Sequence, residues 1–315
     1  MAEKINILCA TDNNYAPYHG VMLTSLLMNN QDCQFDIYML SDDTWNDEDT
    51  KKFDTLCHQY DSEFHLIKVN NEAIKDFPQR EHITLPTYYR LLACNLLPEN
   101  IDKVLLLDGD IIVRGNISSL WKIDIEGFAF AAAEDMDSIT RECFERLNYD
   151  SKYGYCNAGV SLYNFKYWRE NHISEQMIQL IKENPDTLKW MDQDAINLLL
   201  HDKRYNLPLR YNLQVTYLSN KYWYLYSEER QKYIKEECEH AIIIHYNGPV
   251  KPWTYRYLGY PYCETWKLYN NSFWNIDINQ PRIYYFKHLL KRIFYPPMVF
   301  RSRNSYVVKE YWNYK

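Results

Sequence analysis

Short apolar runs alternate with helix-period segments along the first third of the chain, and this alternation most constrains the fold. The runs that predict buried strands lie at 5–10, 35–40, 63–69 and 103–107. The segments that predict helices lie at 17–29, 47–60 and 87–97. Such alternation favours an α/β fold with a mostly parallel sheet covered by helices on both faces. Ligands of these sheets bind beyond the carboxyl ends of the strands.

Polar side chains follow two of the predicted strands. Asp12 and Asn14 come after the first run, and Asp108-Gly109-Asp110 follows the run at 103–107. Ionised carboxylates at the edge of a core need compensation, and a divalent cation such as Mg²⁺ or Mn²⁺ supplies it. The alternative is a polar turn in which the glycine provides a permissive backbone. Taken alone, this motif leaves both interpretations open.

Several function classes are excluded by missing motifs. The loop at 10–16 lacks the GxGxxG pattern of dinucleotide-binding folds, and the chain contains no GxxxxGK[ST] or HExxH. The eight cysteines are scattered without a CxxC pair, which favours reduced thiols in a cytosolic protein. The first residues carry no apolar signal segment, and no stretch reaches the roughly 18 apolar residues of a membrane-spanning helix. We therefore expect a cytoplasmic enzyme or binding protein.

Three further segments of the second half carry polar residues beside apolar runs. They are Asn157-Ala158-Gly159-Val160, Asp192-Gln193-Asp194, and the stretch from His245 to Trp253 after an apolar run at 241–244. Spacing predicts one helix over 165–181 and a second beginning near Ala195. A soft domain boundary is expected near 265–280, where the pattern becomes aromatic and irregular.

With these segments in hand, the chain resembles glycosyltransferase family 8, which includes lipopolysaccharide galactosyl- and glucosyltransferases and relatives of glycogenin. Six segments within about 5–260 carry the resemblance in the family's order: 10–15, 87–91, 108–110, 157–160, 192–194 and 245–253. The resemblance implies a GT-A nucleotide-sugar-binding fold, which we assign to 1–265, and the residue pattern predicts a basic aromatic extension at 266–315. It also implies a UDP-sugar donor, Mn²⁺ or Mg²⁺, and retention of anomeric configuration.

The resemblance assigns a metal site and a diphosphate site. Asp108 and Asp110 would bind the metal, with Gly109 between them and His245 as the third ligand. Gly248 and Lys251 would contact the diphosphate, because glycine allows close backbone approach and lysine neutralises leaving-group charge. The alternatives are a hydrogen-bonded histidine at a strand end and a surface lysine in a proline-rich loop.

The resemblance also assigns residues to the nucleoside. Asp12 and Asn14 would hold uracil and ribose, with the Ala10 backbone and Thr11 beside them. Tyr15 would stack on the base. The alternatives are a simple polar turn for Asp12 and Asn14, and a core position for Tyr15.

Around the donor sugar, the resemblance places Arg90, Asn157, Ala158, Asp192 and Gln193. Asp192 would bind sugar hydroxyls, and Gln193 would lie near the anomeric carbon opposite the leaving group. A glutamine amide is a poor nucleophile, so we favour front-side attack assisted by the departing phosphate oxygen. For Arg90 the alternative is a surface ion pair that contributes little to stability.

One further carboxylate, Asp135, is expected to touch the acceptor. Together these assignments predict a retaining hexosyltransferase that uses UDP-glucose or UDP-galactose and builds a surface glycan on a saccharide or lipid-linked acceptor. Two other function classes remain open: a noncatalytic carbohydrate- or nucleotide-sugar-binding protein on the same fold, and a nucleotidyltransferase or sugar-nucleotide hydrolase. Acceptor-dependent release of UDP separates the three.

The charge distribution suggests a membrane partner. From Asn279 onward eight basic residues accompany one acid, Glu310, so this segment carries +7 and the preceding chain −14. An aromatic stripe at 286–294, flanked by Lys287, Lys291 and Arg292, is typical of a helix lying on an anionic cytoplasmic leaflet. The alternative is a stripe that packs on the catalytic domain with its cations in water.

Overall fold

The computed structural model describes residues 3–79, 84–218, 223–248, 251–254 and 261–277. The strands of these residues are β1 (Glu3–Ala10), β2 (Cys33–Ser41), β3 (Glu63–Lys68), β4 (Lys103–Leu107), β5 (Ile111–Val113), β6 (Phe130–Glu134), β7 (Cys156–Asn164), β8 (Arg204–Leu207), β9 (Leu213–Gln214) and β10 (Ile243–His245). The helices are α1 (Ala16–Met28), α2 (Asp47–His58), α3 (Pro86–Leu96), α4 (Ser118–Trp121), α5 (Glu142–Leu147), α6 (Phe165–Glu170), α7 (Ile173–Glu183), α8 (Met191–Leu200), α9 (Glu228–Glu239) and α10 (Cys263–Tyr269).

Seven strands form the central sheet, in the order β3-β2-β1-β4-β7-β6-β8. The pairings β2–β3, β1–β2, β1–β4 and β6–β8 are parallel, whereas β7 runs antiparallel to both of its neighbours. Most pairings are therefore parallel, as the alternation of strands and helices predicted. Because β7 runs antiparallel to β4, its Asn157–Val160 segment lies at the edge of the sheet where β4 ends.

The central sheet is buried on both faces. In β1, Ile5 and Ile7 enter one apolar core, which includes Val21 of α1, and Leu8 enters the other, which includes Leu91 of α3. Burial on both faces explains why the strand sequences read as continuous apolar runs. In the β1–β4 register Leu8 pairs with Leu106, so the loops after these two strands leave the sheet side by side.

A small second sheet, β5-β10-β9, completes the same edge. Its central strand β10 pairs antiparallel with β5, and His245 lies opposite Ile111. A backbone hydrogen bond of 2.8 Å from Tyr246 to the Asp110 carbonyl continues the pairing. This pairing places His245 beside Asp110, although 135 positions separate them in the chain.

The helix predicted over 165–181 is two helices, so that prediction is wrong in detail. Helix α6 ends at Glu170 and α7 begins at Ile173. His172 between them has a φ of +51°, in the left-handed region, which is incompatible with a continuous right-handed helix. The apolar spacing continues across the break, so periodicity alone did not reveal it.

At the C-terminal end, α10 crosses the boundary predicted between 265 and 266. Trp266 of α10 is fully buried in the core, and a π-helical turn, Asn270–Trp274, follows. The Trp274 indole lies directly over Gly20 of α1, where a Cβ would come within 1.9 Å of it. Residues 278–315, with the predicted aromatic stripe, lie outside the described residues, so the extension stays a prediction.

All eight cysteines lie within the described ranges, and each is buried and free. No helix in the described part of the chain is long and apolar enough to cross a membrane.

Candidate active site

Three potential metal ligands converge at the carboxyl edge of the central sheet. Asp108 and Asp110 lie between β4 and β5, and His245 ends β10. Their ligand atoms all lie within 4.8 Å of one another, and we call these residues the ligand cluster. Gly159 makes the convergence possible, since a Cβ there would lie 2.4 Å from His245 Cε1 and 2.6 Å from Asp108 Oδ2.

Two cations neutralise the carboxylates of the ligand cluster. Arg90 Nη2 lies 2.6 Å from Asp108 Oδ1, and Lys251 Nζ lies 2.5 Å from Asp110 Oδ2. Burial tends to raise the pKa of Asp110, but Lys251 and His245 outweigh it and hold that pKa below its usual range. Asp110 is therefore ionised at neutral pH, as a metal ligand must be.

Arg90 also reaches the other carboxylate of the site. Arg90 Nε lies 3.3 Å from Oδ2 of a second carboxylate, Asp192. This distance is short enough for an ion pair, but the geometry is not that of a hydrogen bond. Burial disfavours the guanidinium charge, yet Asp108 and Asp192 outweigh it and raise the Arg90 pKa. Arg90 is therefore a buried bridge between two carboxylates rather than a surface ion pair.

A chain of hydrogen bonds orients His245, and we call it the amide relay. Asp135 Oδ2 accepts from Asn157 Nδ2 at 2.9 Å. Asn157 Oδ1 accepts from Asn212 Nδ2, also at 2.9 Å. Asn212 Oδ1 is 3.0 Å from His245 Nδ1. An ionised carboxylate only accepts hydrogen bonds, so each amide has one possible orientation and His245 Nδ1 must be the donor.

The amide relay therefore selects the histidine tautomer that a metal needs. With its proton on Nδ1, neutral His245 carries its lone pair on Nε2, which lies 3.3 Å from Asp110 Oδ1. Two carboxylates and an imidazole nitrogen form a donor set that suits Mn²⁺ or Mg²⁺, with the nitrogen favouring Mn²⁺. The residues present thus fit the metal that the resemblance implies.

Gln193, in the first turn of α8, has both ends of its amide fixed. Its Oε1 accepts from the Ala158 backbone N–H at 3.1 Å and from Asn157 Nδ2 at 3.3 Å. Its Nε2 donates to the Tyr155 hydroxyl at 3.1 Å and lies 3.4 Å from Asp135 Oδ2. The structure therefore brings Gln193, Asn157, Ala158 and Asp135 together in one hydrogen-bonded group.

The start of α8 is anchored by Asp194, which is fully buried. Its carboxylate accepts two hydrogen bonds from Arg146, at 2.6 and 3.2 Å. It also accepts from the Tyr155 hydroxyl at 2.6 Å and from the Trp190 backbone at 2.8 Å. This network holds the turn that presents Asp192 and Gln193.

Two buried carboxyls of the site have raised pKa values. Burial raises the pKa of Asp135 to about 6, against the hydrogen bonds it accepts from Asp137 and Asn157. Burial likewise raises the pKa of Asp192 to about 6, although Arg90 opposes the shift. Perturbed carboxyls in one site are typical of functional positions.

The loop after β1 forms a turn that starts α1. Asp12 Oδ1 accepts a 2.9 Å hydrogen bond from the Tyr15 backbone. The buried Thr11 donates its backbone N–H to Leu40 O at 3.0 Å, which ties this loop to the end of β2, and Ala10 is half-buried. Asn14 is exposed, so its side chain is available to a ligand.

Tyr15 belongs to an aromatic group at this edge. Its ring lies 5.9 Å from the Trp253 ring, edge to face, and Tyr18 stacks on the same indole at 4.2 Å. Tyr15 is half-buried, so its position fits either base stacking or packing at the edge of the core.

Gly248 differs from the other predicted diphosphate residue. It is exposed with a φ of +82°, and a Cβ there would meet nothing within 4 Å among the described residues. Its backbone conformation therefore favours glycine, whereas the structure shows no close approach at this position. Lys251, in contrast, contacts the ligand cluster directly and also donates to Tyr246 O at 2.8 Å.

Sequence reasoning missed His19, Tyr155 and Asn212. His19 on α1 is 2% exposed, neither ring nitrogen has a hydrogen-bond partner, and burial lowers its pKa to about 4. Its ring packs against Gly109, where a Cβ would lie 2.5 Å from Nδ1. The glycine inside the Asp108–Asp110 motif was the only sequence signal of a tightly packed neighbour.

Several known proteins are similar to this chain in sequence or fold. The sequence profile described as "Glycosyl transferase family 8" matches residues 6–256. The lipopolysaccharide 1,2-glucosyltransferase of Escherichia coli K12 is 30% identical to this chain over 278 residues, which cover 88% of this chain and 80% of that protein. The lipopolysaccharide 1,3-galactosyltransferase of Salmonella typhimurium is 27% identical, with 87% and 80% covered.

Among solved structures, an active-site mutant of LgtC superposes on this chain with a TM-score of 0.75. It is 25% identical, and the match covers 85% of this chain and 96% of that one. Together with the seven-stranded sheet flanked by helices, this similarity confirms the predicted GT-A fold.

Proposed function

Since this chain belongs to glycosyl transferase family 8, we propose that it transfers a hexose from UDP-glucose or UDP-galactose to a saccharide acceptor with retention of anomeric configuration. The observation that carries the proposal is the convergence of Asp108, Asp110 and His245 beside Lys251 at the carboxyl edge of the sheet. Buried carboxylates, an oriented imidazole and a lysine together suit a diphosphate bound through a divalent cation.

The nucleoside end of the donor would lie over the loop after β1. Asp12 and Asn14 would hold uracil and ribose, with Ala10 and Thr11 lining the loop. Tyr15 would stack on the base, since its ring is half-buried beside Trp253 at the end of the sheet.

Asp108, Asp110 and His245 would hold Mn²⁺ or Mg²⁺, which when bound would neutralise charge on the diphosphate leaving group. Lys251 would add a fixed positive charge on the same side, with the backbone at Gly248 facing the phosphates. Arg90 would keep Asp108 and Asp192 in place, since it contacts both carboxylates.

At the sugar, Asp192 would accept hydrogen bonds from hydroxyl groups, while Gln193 faces the anomeric carbon. The Gln193 amide is held from both ends and is a poor nucleophile, which disfavours a covalent glycosyl-enzyme. The acceptor hydroxyl would attack from the face that UDP leaves: the new carbon–oxygen bond forms as the bond to phosphate breaks, and the hydroxyl proton passes to the departing phosphate oxygen.

On the acceptor side, Asp135 would bind an incoming hydroxyl, and above pH about 6 it would do so as a carboxylate. The relatives named as lipopolysaccharide glucosyl- and galactosyltransferases support an acceptor of surface-glycan synthesis, either a glycan or a lipid-linked saccharide. That acceptor class would place the enzyme in the cytoplasm, at the inner face of the membrane.

A donor screen tests this proposal. Purified protein is incubated with UDP-glucose, UDP-galactose or UDP-N-acetylglucosamine in Mn²⁺, and UDP release is measured with and without saccharide acceptors. We expect acceptor-dependent release from one of the first two donors. Release without any acceptor would indicate a hydrolase, and donor binding without release would indicate a binding protein.

Metal dependence is tested in the same assay. EDTA or Asp110→Ala should lower turnover at least 100-fold. The control Asp202→Asn, at an exposed position outside the ligand cluster, should leave turnover unchanged. Full activity in EDTA would contradict the metal assignment. NMR of the first-formed product tests the stereochemistry, and a β-linked product from an α-linked donor would contradict retention.

A further inference from the structure

A second group of metal-ligating side chains lies on the central sheet outside the candidate active site. It consists of Asp36 on β2 with Glu63 and His65 on β3, and we call it the edge cluster. Its three ligand atoms lie within 4.8 Å of one another. Asp36 pairs with Glu63 in the parallel register, and Glu63 and His65 are two residues apart on one strand, so all three side chains project from the same face.

The edge cluster is remote from the candidate active site. Asp36 pairs with Asn6 of β1, four residues before the strand ends at Ala10. At about 3.3 Å per residue, the edge cluster lies roughly 13 Å along the strands from their carboxyl ends, where the donor would bind. The two groups therefore share no ligand.

An unsatisfied oxygen points to a ligand in the edge cluster. Asp36 is 8% exposed, and its Oδ1 is buried without a hydrogen-bond partner. The other oxygen of the same carboxylate is occupied, because Lys4 Nζ lies 2.8 Å from Oδ2. A buried carboxylate oxygen without a hydrogen bond is rare and costly, so Oδ1 calls for an explanation.

The distances match ligands arranged around a common centre. His65 Nε2 lies 3.6 Å from Asp36 Oδ1 and 3.6 Å from Glu63 Oε2, too far for a hydrogen bond to either oxygen. Metal bonds of about 2.0–2.1 Å in a tetrahedron separate neighbouring ligand atoms by about 3.3 Å. Small side-chain shifts would therefore let all three atoms bind one ion.

The imidazole is already held in place for this role. The His65 ring stacks on Tyr38 with 4.8 Å between ring centroids and 18° between the planes. Tyr38 is itself 7% exposed, so it fixes the plane of the histidine ring. The ligand Glu63 is the exposed member and would close the site from the solvent side.

We propose that the edge cluster is a second metal site, which takes a borderline divalent ion such as Zn²⁺. One imidazole and two carboxylates with a water in the fourth position form a donor set that Zn²⁺ accepts readily. The bound ion would tie β3, the edge strand of the sheet, to β2. Its role is structural, and it is independent of the sugar-transfer reaction.

Counting bound zinc tests the proposal. Metal-free full-length protein is equilibrated with ZnCl₂ and desalted, and zinc per chain is measured by mass spectrometry. We expect His65→Gln to bind one ion fewer than wild type, while its transferase activity in Mn²⁺ is unchanged. We expect Asp110→Ala to keep the ion that His65→Gln loses. Equal zinc content in wild type and His65→Gln would overturn the proposal.

A charge variant sharpens the test. The Lys4 ammonium shares the Asp36 carboxylate with the proposed ion and repels it, so Lys4→Gln should tighten zinc binding several-fold in calorimetry. Glu63→Gln should weaken it at least tenfold. Both positions are largely exposed, so the folded state should persist, which thermal unfolding in EDTA checks. Unchanged zinc affinity in both variants would refute the site.

Discussion

At the scale of single residues, the candidate active site is notable for how many side chains have only one possible orientation. The amide relay fixes two asparagines and a histidine from a single carboxylate, Asp135. Gln193 is held in the same way by the Ala158 backbone and the Tyr155 hydroxyl. Such preorganisation spares the enzyme the cost of ordering these groups when substrate binds.

Asn212→Ala should weaken metal binding without removing any ligand. The substitution removes the acceptor for His245 Nδ1–H, so the imidazole loses the bond that fixes its tautomer and orientation. We expect the Mn²⁺ concentration for half-maximal activity to rise roughly 10- to 100-fold. Asn95→Ala, at an exposed position on α3, is the matched control. The same Mn²⁺ dependence in Asn212→Ala and wild type would contradict the relay.

The raised pKa of Asp135 should appear in the pH dependence of stability. Its pKa is about 6 in the folded protein and about 3.8 when exposed, so the folded state binds this proton more tightly. The stabilisation that protonated Asp135 gives the folded state is fully present below pH 4 and is lost as the pH rises through about 6. The free energy of unfolding should fall by roughly 2–3 kcal/mol over this range. Urea unfolding between pH 4 and 7 measures it.

Asp135→Asn should flatten that dependence by removing the titrating group, whereas the exposed Asp202→Asn should leave it unchanged. Only the difference in slope between variant and wild type is informative, because other carboxylates titrate in the same range. An Asp135→Asn profile parallel to that of wild type would show that this carboxyl is not perturbed.

At the scale of secondary-structure elements, the site depends on close approaches at glycines. Helix α1 packs its His19 ring on Gly109, and β7 passes the ligand cluster at Gly159. Neither contact leaves room for a methyl group. The loop between β4 and β5 is thus shaped from both sides by elements distant in sequence.

Gly109→Ala should destabilise the protein through His19. The new Cβ would lie 2.5 Å from His19 Nδ1, and the ring is only 2% exposed, so we expect the free energy of unfolding in urea to fall by about 1–3 kcal/mol. Gly115→Ala is the control, because its nearest neighbour would lie at an ordinary 3.7 Å. The double variant His19→Ala/Gly109→Ala should lose less than the sum of the single variants. Additive losses would show that the two residues do not contact each other.

The sequence predicted β1 to β4 and helices α1 to α3, because local periodicity encodes them, and it predicted the Asp108–Asp110 site as a short motif. It did not predict β6 or β8 of the central sheet. It did not predict Asn212 or His19. Asn212 acts on a residue 33 positions away, and His19 contributes by packing, so neither leaves a local pattern. The break between α6 and α7 was missed because an isolated left-handed residue does not disturb the apolar spacing around it.

At the scale of the whole molecule, the charge is divided unevenly along the chain. The described part of the chain contains most of the acids, whereas the segment after Asn279 carries a net +7. The candidate active site, with its carboxylates paired to Arg90 and Lys251, is separate in sequence from that basic segment. Membrane association therefore remains a prediction about the extension alone.

Removing the extension should abolish binding to anionic membranes. We expect the full chain to sediment with phosphatidylglycerol vesicles and a chain ending at residue 280 to stay in the supernatant. Binding should weaken as salt rises, since the cations of the extension provide the attraction. Neutral phosphatidylcholine vesicles are the control, and equally weak binding of both chains to the anionic vesicles would refute the membrane role.

The packing of Trp274 on Gly20 has a consequence for synthesis on the ribosome. The indole that covers the glycine of helix α1 is made about 250 residues after that glycine. At roughly 5–20 residues per second, that face of α1 waits some tens of seconds for its partner. The nascent chain thus keeps this face of α1 uncovered over the whole interval between the synthesis of Gly20 and that of Trp274.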